Sequence, residues 1–225
     1  MIRRPPRSTQ GVSSAASDVY KRQAECPAVG TPRVTGIAID PTDRQSIWVA
    51  IEVDGLRHSA DGGDTWTTIN HGAIPNLDIH NVAVSSGPPK TVVVVVNNDV
   101  YTSTDNGATW KSVGVREKFD LGYPRGINVR PGSPNVIFLT LGDTTPGSTG
   151  CIMRSIDTGH NWQRLPLPVE PNTAMWVVNA QPADPQIVFA GSRYGYLYRS
   201  NDGGDSWSKL KREFSEISSV LWVTA

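Results

Sequence analysis

The sequence predicts an all-β fold of repeated four-stranded antiparallel units, and three observations carry that reading. Apolar runs of five to seven residues, rich in Val and Ile, recur between Pro, Gly and Asp, the pattern of short strands joined by turns. The content of 21 Gly and 17 Pro in 225 residues suits many tight connections. One eight-residue stretch is written four times, with its closing tryptophans Trp66, Trp110, Trp162 and Trp207 spaced 44, 52 and 45 residues apart. A repeat near 45 residues with strand-like flanks marks the blades of a β-propeller.

Each unit supplies four runs, A to D from the axis outward. The first blade (34–70) has Val34–Asp40, Ser46–Glu52, Leu56–Ser59 and Trp66–Ile69. The second (78–114) has Ile79–Val84, Thr91–Val96, Val100–Ser103 and Trp110–Val113. In the third (125–166) the runs are Gly126–Val129, Val136–Thr140, Cys151–Ser155 and Trp162–Leu165, with the longer spacing taken up by the Gly142–Gly150 loop. The fourth (174–211) uses Met175–Asn179, Ile187–Ala190, Leu197–Ser200 and Trp207–Leu210. Ile217–Val223 then reads as the inner strand of a further blade (216–224). Residues 34–225 are therefore expected to be four complete blades and one strand of a larger, six- to eight-bladed ring, with 24–33 a linker or the remnant of a preceding blade.

The repeated stretch falls between strands C and D, where a hairpin must turn. Its shared positions are Ser59, Asp61, Gly63 and Trp66; Ser103, Asp105, Gly107 and Trp110; Ser155, Asp157, Gly159 and Trp162; and Ser200, Asp202, Gly204 and Trp207. The Asp is suited to accept amide hydrogen bonds across the turn. The Gly supplies a positive φ, and the Trp ring can pack over the hairpin, for at most ~5 kcal/mol at ~200 Å² buried. Asp61-Gly-Gly-Asp64 and Asp202-Gly-Gly-Asp205 lack the bidentate Glu and spacing of a calcium loop. These carboxylates are thus expected to be structural, and neither metal nor cofactor is expected.

The pattern Ser-x-Asp-x-Gly-x-x-Trp resembles the Asp-box, or BNR repeat, of sialidases, xyloglucanases, sortilin-type receptors and photosystem II assembly factors. The four copies span nearly all of residues 34–210. The resemblance implies a propeller scaffold and leaves its chemistry open, since these relatives share a fold rather than an activity. Residues 1–23 lack strand or helix periodicity and resemble a translated sequencing adapter; their basic, Ser-rich composition also fits a transit peptide.

Charge and cysteine narrow the partners. Net charge is zero overall, and beyond residue 23 there are 16 basic and 20 acidic residues, 16 − 20 = −4, which argues against nucleic acid. The longest apolar run, Val92–Val96, is far short of a membrane span. Cys26 and Cys151 are expected to be unpaired thiols. An exported, extracytoplasmic location is the expectation for compartment.

Strand alternation puts the A–B and C–D turns on one face of the disc and the B–C and D–A loops on the other. The repeated box therefore lies opposite the loop face, whose central mouth should be ringed by Glu52, Asp54, His80, Asn98, Asp99, Arg125, Asp143, Trp176, Arg193 and Tyr194. The rim expected to bind ligand is Glu52, His80, Asn98, Arg125, Trp176, Arg193 and Tyr194, a mixed-charge surface with aromatic faces suited to a carbohydrate or a peptide. Two functions follow. One is a non-catalytic binding scaffold. The other is a sialidase- or xyloglucanase-like glycosidase, for which Glu52, Asp99 and Asp143 are the candidate carboxylates.

Overall fold

A computed structural model describes residues 31–69 and 74–223. The leader (1–23) and Cys26 lie outside the described residues. Four antiparallel sheets of four strands are arranged as propeller blades. The first joins β1 (Arg33–Asp40), β2 (Asp43–Glu52), β3 (Gly55–Ser59) and β4 (Thr67–Thr68). The second joins β5 (Ile79–Ser85), β6 (Thr91–Val96), β7 (Val100–Ser103) and β8 (Lys111–Ser112). After a one-turn helix, α1 (Val115–Lys118), the third joins β9 (Tyr123–Val129), β10 (Ile137–Gly142), β11 (Gly150–Ser155) and β12 (Gln163–Arg164). The fourth joins β13 (Met175–Gln181), β14 (Asp184–Ser192), β15 (Leu197–Ser200) and β16 (Ser208–Lys209).

Strand order within each sheet follows the chain, as expected. The outer strands are shorter than the apolar runs that predict them, because only two residues pair before the chain leaves. One further backbone bond closes each: Ile69, Val113, Leu165 and Leu210 N–H donate to Leu56, Val100, Ile152 and Leu197 C=O at 2.8–3.0 Å. Residues 217–223 form no strand. Ile217 is buried against blade four and its amide donates to Arg193 C=O at 3.0 Å, but no described segment offers the rest of this stretch a ladder to pair with.

The hydrophobic core lies between the blades. Trp48, Ala50 and Leu56 pack with Val82, Val84 and Val94 of blade two. Val93, Val95 and Val100 face Ile137, Leu139 and Leu141 of blade three, and Phe138 and Ile152 face Val178, Val188 and Tyr198 of blade four. Val92–Val96 are all buried because both faces of β6 are covered.

The four boxes share one hydrogen-bond frame. The hydroxyls of Ser59, Ser103, Ser155 and Ser200 donate to Oδ1 of Asp61, Asp105, Asp157 and Asp202 at 2.7–2.8 Å. Each accepts the amide of Gly63, Gly107, Gly159 or Gly204 at 2.8 Å. The Asp also accepts the amides of Thr65, Thr109, Asn161 and Ser206 at 2.8–2.9 Å. The indole N–H of each Trp donates to its own box Gly C=O at 2.9–3.2 Å. The amides of Gly62, Thr158 and Gly203 donate to A–B turn carbonyls of Gln45, Asn135 and Gln186, so box and A–B turn share one face of the disc.

Burial of the tryptophans is unequal. Trp66 is 43% exposed, whereas Trp207 is 8% exposed. Two boxes pack on strand B of the blade before them, Gly107 and Trp110 meeting Trp48 and Gly204 meeting Phe138, while Gly159 meets Thr102 on strand C. No described blade precedes the first, so Trp66 does not gain the full burial the sequence suggests.

Two outcomes follow from this frame. Gly204 has φ 95°, and a Cβ there would sit 2.6 Å from the buried Phe138 ring. Gly204→Ala is expected to destabilise by roughly 2–4 kcal/mol, the sum of left-handed strain and overpacking. Gly132→Ala, at φ 73° with nothing within 4 Å, carries only the backbone part, and urea denaturation of the two isolates the clash. The Thr109 and Ser103 hydrogen bonds hold the Asp105 carboxyl down to about 2. A depressed carboxyl stabilises the fold above its unfolded value, ~3.9, and this is lost as pH falls towards 2. Asp105→Asn should therefore lower the melting temperature by a few degrees at neutral pH, with the gap to the unmutated protein closing in acid.

Candidate functional site

On the other face, each inner strand carries an irregularity near its axial end. In β1, Val34 pairs with Ile51 and Gly36 with Ala50, leaving Thr35 as an extra residue. In β5, His80 is extra between Ile79 and Asn81, and in β13 Trp176 is extra between Met175 and Val177. In β9 the register slips across Arg125–Gly126, where the Gly126 amide turns to the Thr140 hydroxyl at 2.8 Å. A β-bulge leaves its extra residue unpaired and re-aims its side chain. Here it sends one side chain per blade to the axis.

Two of these side chains also tie adjacent blades. Thr35 Oγ1 donates to Ile79 C=O at 2.7 Å, and His80 Nδ1 meets Pro124 C=O at 2.7 Å. Since a carbonyl can only accept, His80 carries its proton on Nδ1 and presents a bare Nε2.

The bulged residues surround a cavity of about 350 Å³, together with Arg33, Arg193, Glu216 and Ser218. The guanidinium carbons of Arg125 and Arg193 lie over the Trp176 ring, 4.2 and 4.3 Å from its centroid, within cation–π range. Tyr123 bridges His80 and Trp176, with ring centroids 5.0 and 6.4 Å away. Glu52, 4% exposed, is ion-paired to Arg33, and its Oε1 is 3.8 Å from Arg125 Nη1. Glu216 is ion-paired to Arg193.

The field pushes these groups apart. Burial alone would raise Glu52, but Arg33 and Arg125 hold its carboxyl below the ordinary value. Burial and the nearby Glu52 charge raise Asp78. Burial and then the Arg125 charge lower His80 to about 3, which keeps it neutral.

The expected rim residues are thus divided. His80, Arg125, Trp176 and Arg193 line one cavity, with Glu52 directly behind them. Asn98 instead accepts from Asn76 at 2.9 Å. Tyr194 is half-exposed outside the cavity, its backbone held by Thr173 and Asn172. Asp54 pairs with Arg57 at 2.7 Å. Asp99 accepts from Ser112, Gly114 and Val115, and Asp143 from Thr144, Ser148 and Thr149. Both are turn-forming carboxylates with their lone pairs engaged.

Arg33, Asp78, Tyr123 and Glu216 escape the sequence reading. Each stands two residues before an aligned inner-strand position, Thr35, His80, Arg125 and Ser218. Superposing the inner strands on those positions is the signal that would have found them. A second cavity, about 330 Å³, lies along Gly150, Cys151, Arg164, Leu165 and Glu170. Its thiol is free and buried, and burial pushes it to about 11, so it is a poor nucleophile.

Sixteen strands in four blades among the described residues, a repeated box on one face and an axial mouth on the other define an Asp-box β-propeller. A family model described as Sortilin, neurotensin receptor 3 (Sortilin-Vps10) matches residues 98–223, more than half of the chain, and the chain belongs to that family. The xyloglucanase Xgh74A of Acetivibrio thermocellus is 27% identical over 214 residues, 77% of this chain and 25% of that protein. A xyloglucanase of Paenibacillus sp is 34% identical over 236 residues, 94% of this chain and 19% of its own length. The chain thus spans a quarter or less of these relatives. The crystal structure of an ancestral GH74 enzyme superposes with a TM-score of 0.65 at 21% identity, over 79% of this chain and 24% of that one. A nidogen/laminin complex gives 0.62 at 15% identity, over 81% and 66%. Both structural likenesses speak to the fold.

The inter-blade tie is open to a direct check. Thr35→Val keeps shape but removes the donor to Ile79 C=O. It should cost about 1 kcal/mol in denaturant unfolding, against no change for Thr67→Val, whose hydroxyl bond is exposed and within one blade.

Proposed function

We propose that the protein is a binding propeller whose axial mouth takes a ligand bearing an anionic group, such as a carboxylate-containing carbohydrate or an acidic peptide. The observation that carries this reading is the pair of guanidinium groups, Arg125 and Arg193, held over Trp176 at the wall of the cavity. Arg33 and Arg125 stand against Glu52, and Arg193 against Glu216, while burial and the Glu52 charge raise the Asp78 carboxyl. Three guanidinium groups thus gather at a partly desolvated mouth, where a planar guanidinium can grip a carboxylate through two parallel hydrogen bonds. Both guanidinium groups are packed on the indole, so little ordering is required on binding.

A second reading, hydrolysis of a β-glucan such as xyloglucan, is favoured by the relatives at 27% and 34% identity. Its acid–base pair would be Asp78, with its raised carboxyl, and Glu52, with its lowered one. Against it, Glu52 is almost wholly buried and already ion-paired to Arg33.

Calorimetric titration with a uronate-bearing oligosaccharide, an acidic peptide and a neutral xyloglucan oligosaccharide separates these readings. Binding of at least one acidic probe is expected, weakening ~10- to 100-fold in Arg125→Met and Arg193→Met, the loss of a charge-assisted hydrogen bond, and falling with added salt. Preference for the neutral oligosaccharide, with hydrolysis abolished by Glu52→Gln, would establish the enzyme instead.

A further inference from the structure

We infer that Glu52, Asp78 and His80 form a binding site for a divalent transition-metal cation, of the zinc class, at the inner junction of blades one and two. One ligand atom from each lies within 4.8 Å of the other two. His80 Nε2 faces Asp78 Oδ1 at 3.6 Å, beyond hydrogen-bond distance and close to the ~3.3 Å edge of a tetrahedron with ~2.0 Å metal bonds.

The arrangement of protons makes the case. His80 is 2% exposed, and its Nδ1–H is spent on Pro124 C=O. Its Nε2 is therefore the ring atom left to face Asp78 Oδ1. Asp78 Oδ1 is buried and finds no hydrogen-bond donor among the described residues, whereas its Oδ2 is held by Asn97 Nδ2 at 3.0 Å. A buried carboxylate oxygen without a donor is costly, and a cation shared with the imidazole would satisfy it. A carbonyl holding the far nitrogen of the imidazole is also the arrangement that orients a metal-binding histidine.

The third member is placed by its neighbours. Arg33 occupies Glu52 Oε2, leaving Oε1 turned towards Arg125 at 3.8 Å. The backbone bridge between Glu52 and Asp78 fixes the spacing of the two carboxylates. One nitrogen and two carboxylate donors suit zinc or cobalt better than calcium, which prefers six to eight oxygens. Arg33 and Arg125 oppose the incoming charge and Glu52 and Asp78 offset it, so moderate affinity is expected.

The test is calorimetric titration of the full chain with ZnCl2, with CaCl2 as comparator, and a parallel CoCl2 titration followed by visible absorption. One equivalent of Zn2+ should bind, Ca2+ at least ~100-fold more weakly, and Co2+ should develop ligand-field bands. Asp78→Asn keeps the shape while removing the charge, and His80→Asn keeps a donor for Pro124 C=O while deleting Nε2. Each should weaken Zn2+ binding at least ~100-fold with an unchanged circular-dichroism spectrum, whereas His58→Gln and His160→Gln should bind as before. No Zn2+ binding, or binding that survives both Asp78→Asn and His80→Asn, overturns the site. Should those variants misfold, Glu52→Gln with the same cobalt readout decides in their place. Anion binding lost only on Arg193→Met leaves this inference untouched, so the two readings fail separately.

Discussion

Each blade hangs on one buried hydroxyl. Ser59, Ser103, Ser155 and Ser200 are nearly inaccessible to solvent, and each both donates to the box Asp and accepts from the box Gly. A buried hydroxyl with only one of these partners would carry a desolvation cost. With both, the turn closes in a single shape and the Gly is driven to positive φ. That shape is also what lets the hairpin approach strand B of the preceding blade, at Trp48 and Phe138. Local turn chemistry and packing between blades are therefore one constraint, which is why the same residues recur although the strands around them vary.

The two faces of the disc differ in how completely their polar groups are satisfied. On the box face, each Asp accepts from its Ser, from a backbone amide and from a side chain four residues on, as in Asp61 with Ser59 and Thr65. Such carboxylates are committed chiefly to their own turn. At the axial mouth, bulges take Thr35, His80, Arg125 and Trp176 out of the ladder. Thr35 and His80 tie adjacent blades, while Arg125 and Trp176 are positioned by rigid strands and still face the cavity. Saturation of one face and concentration of charge at the other is what singles out the mouth in the proposed function.

Legibility in the sequence follows the same division. The box and the two-residue alternation are local, so blade number, strand order and the position of each hairpin could be read from Ser59–Trp66 and its three copies. His80, Arg125, Trp176 and Arg193 were reachable because counting from the box fixes which strand ends face the axis. Asp99 and Asp143 looked equally available, since sequence does not reveal that Gly114, Val115, Ser148 and Thr149 would absorb them. Asp78 stayed hidden for a different reason. Its weight comes from a neighbour in another blade, Glu52, and from a proton placed by a third, Pro124. Residues 217–223 show the limit of periodicity, which predicts the tendency to be a strand but not the partner that makes it one.

The mouth's electrostatics connect the cation site to ligand capture. Without a cation, Glu52 draws on both Arg33 and Arg125, and Asp78 is pushed towards its acid form by burial and by Glu52. Part of the positive charge facing the cavity is thereby held back from any ligand. A dication shared by Glu52, Asp78 and His80 would neutralise both carboxylates. Arg125, 3.8 Å from Glu52 and 4.2 Å from the Trp176 centroid, would then keep its place over the indole while its charge turned to the cavity. The anion and the cation would each favour the other's binding, by equal factors as linkage requires. One set of bulged strands would thus hold two unlike ligands that stabilise each other, with no movement of the blades.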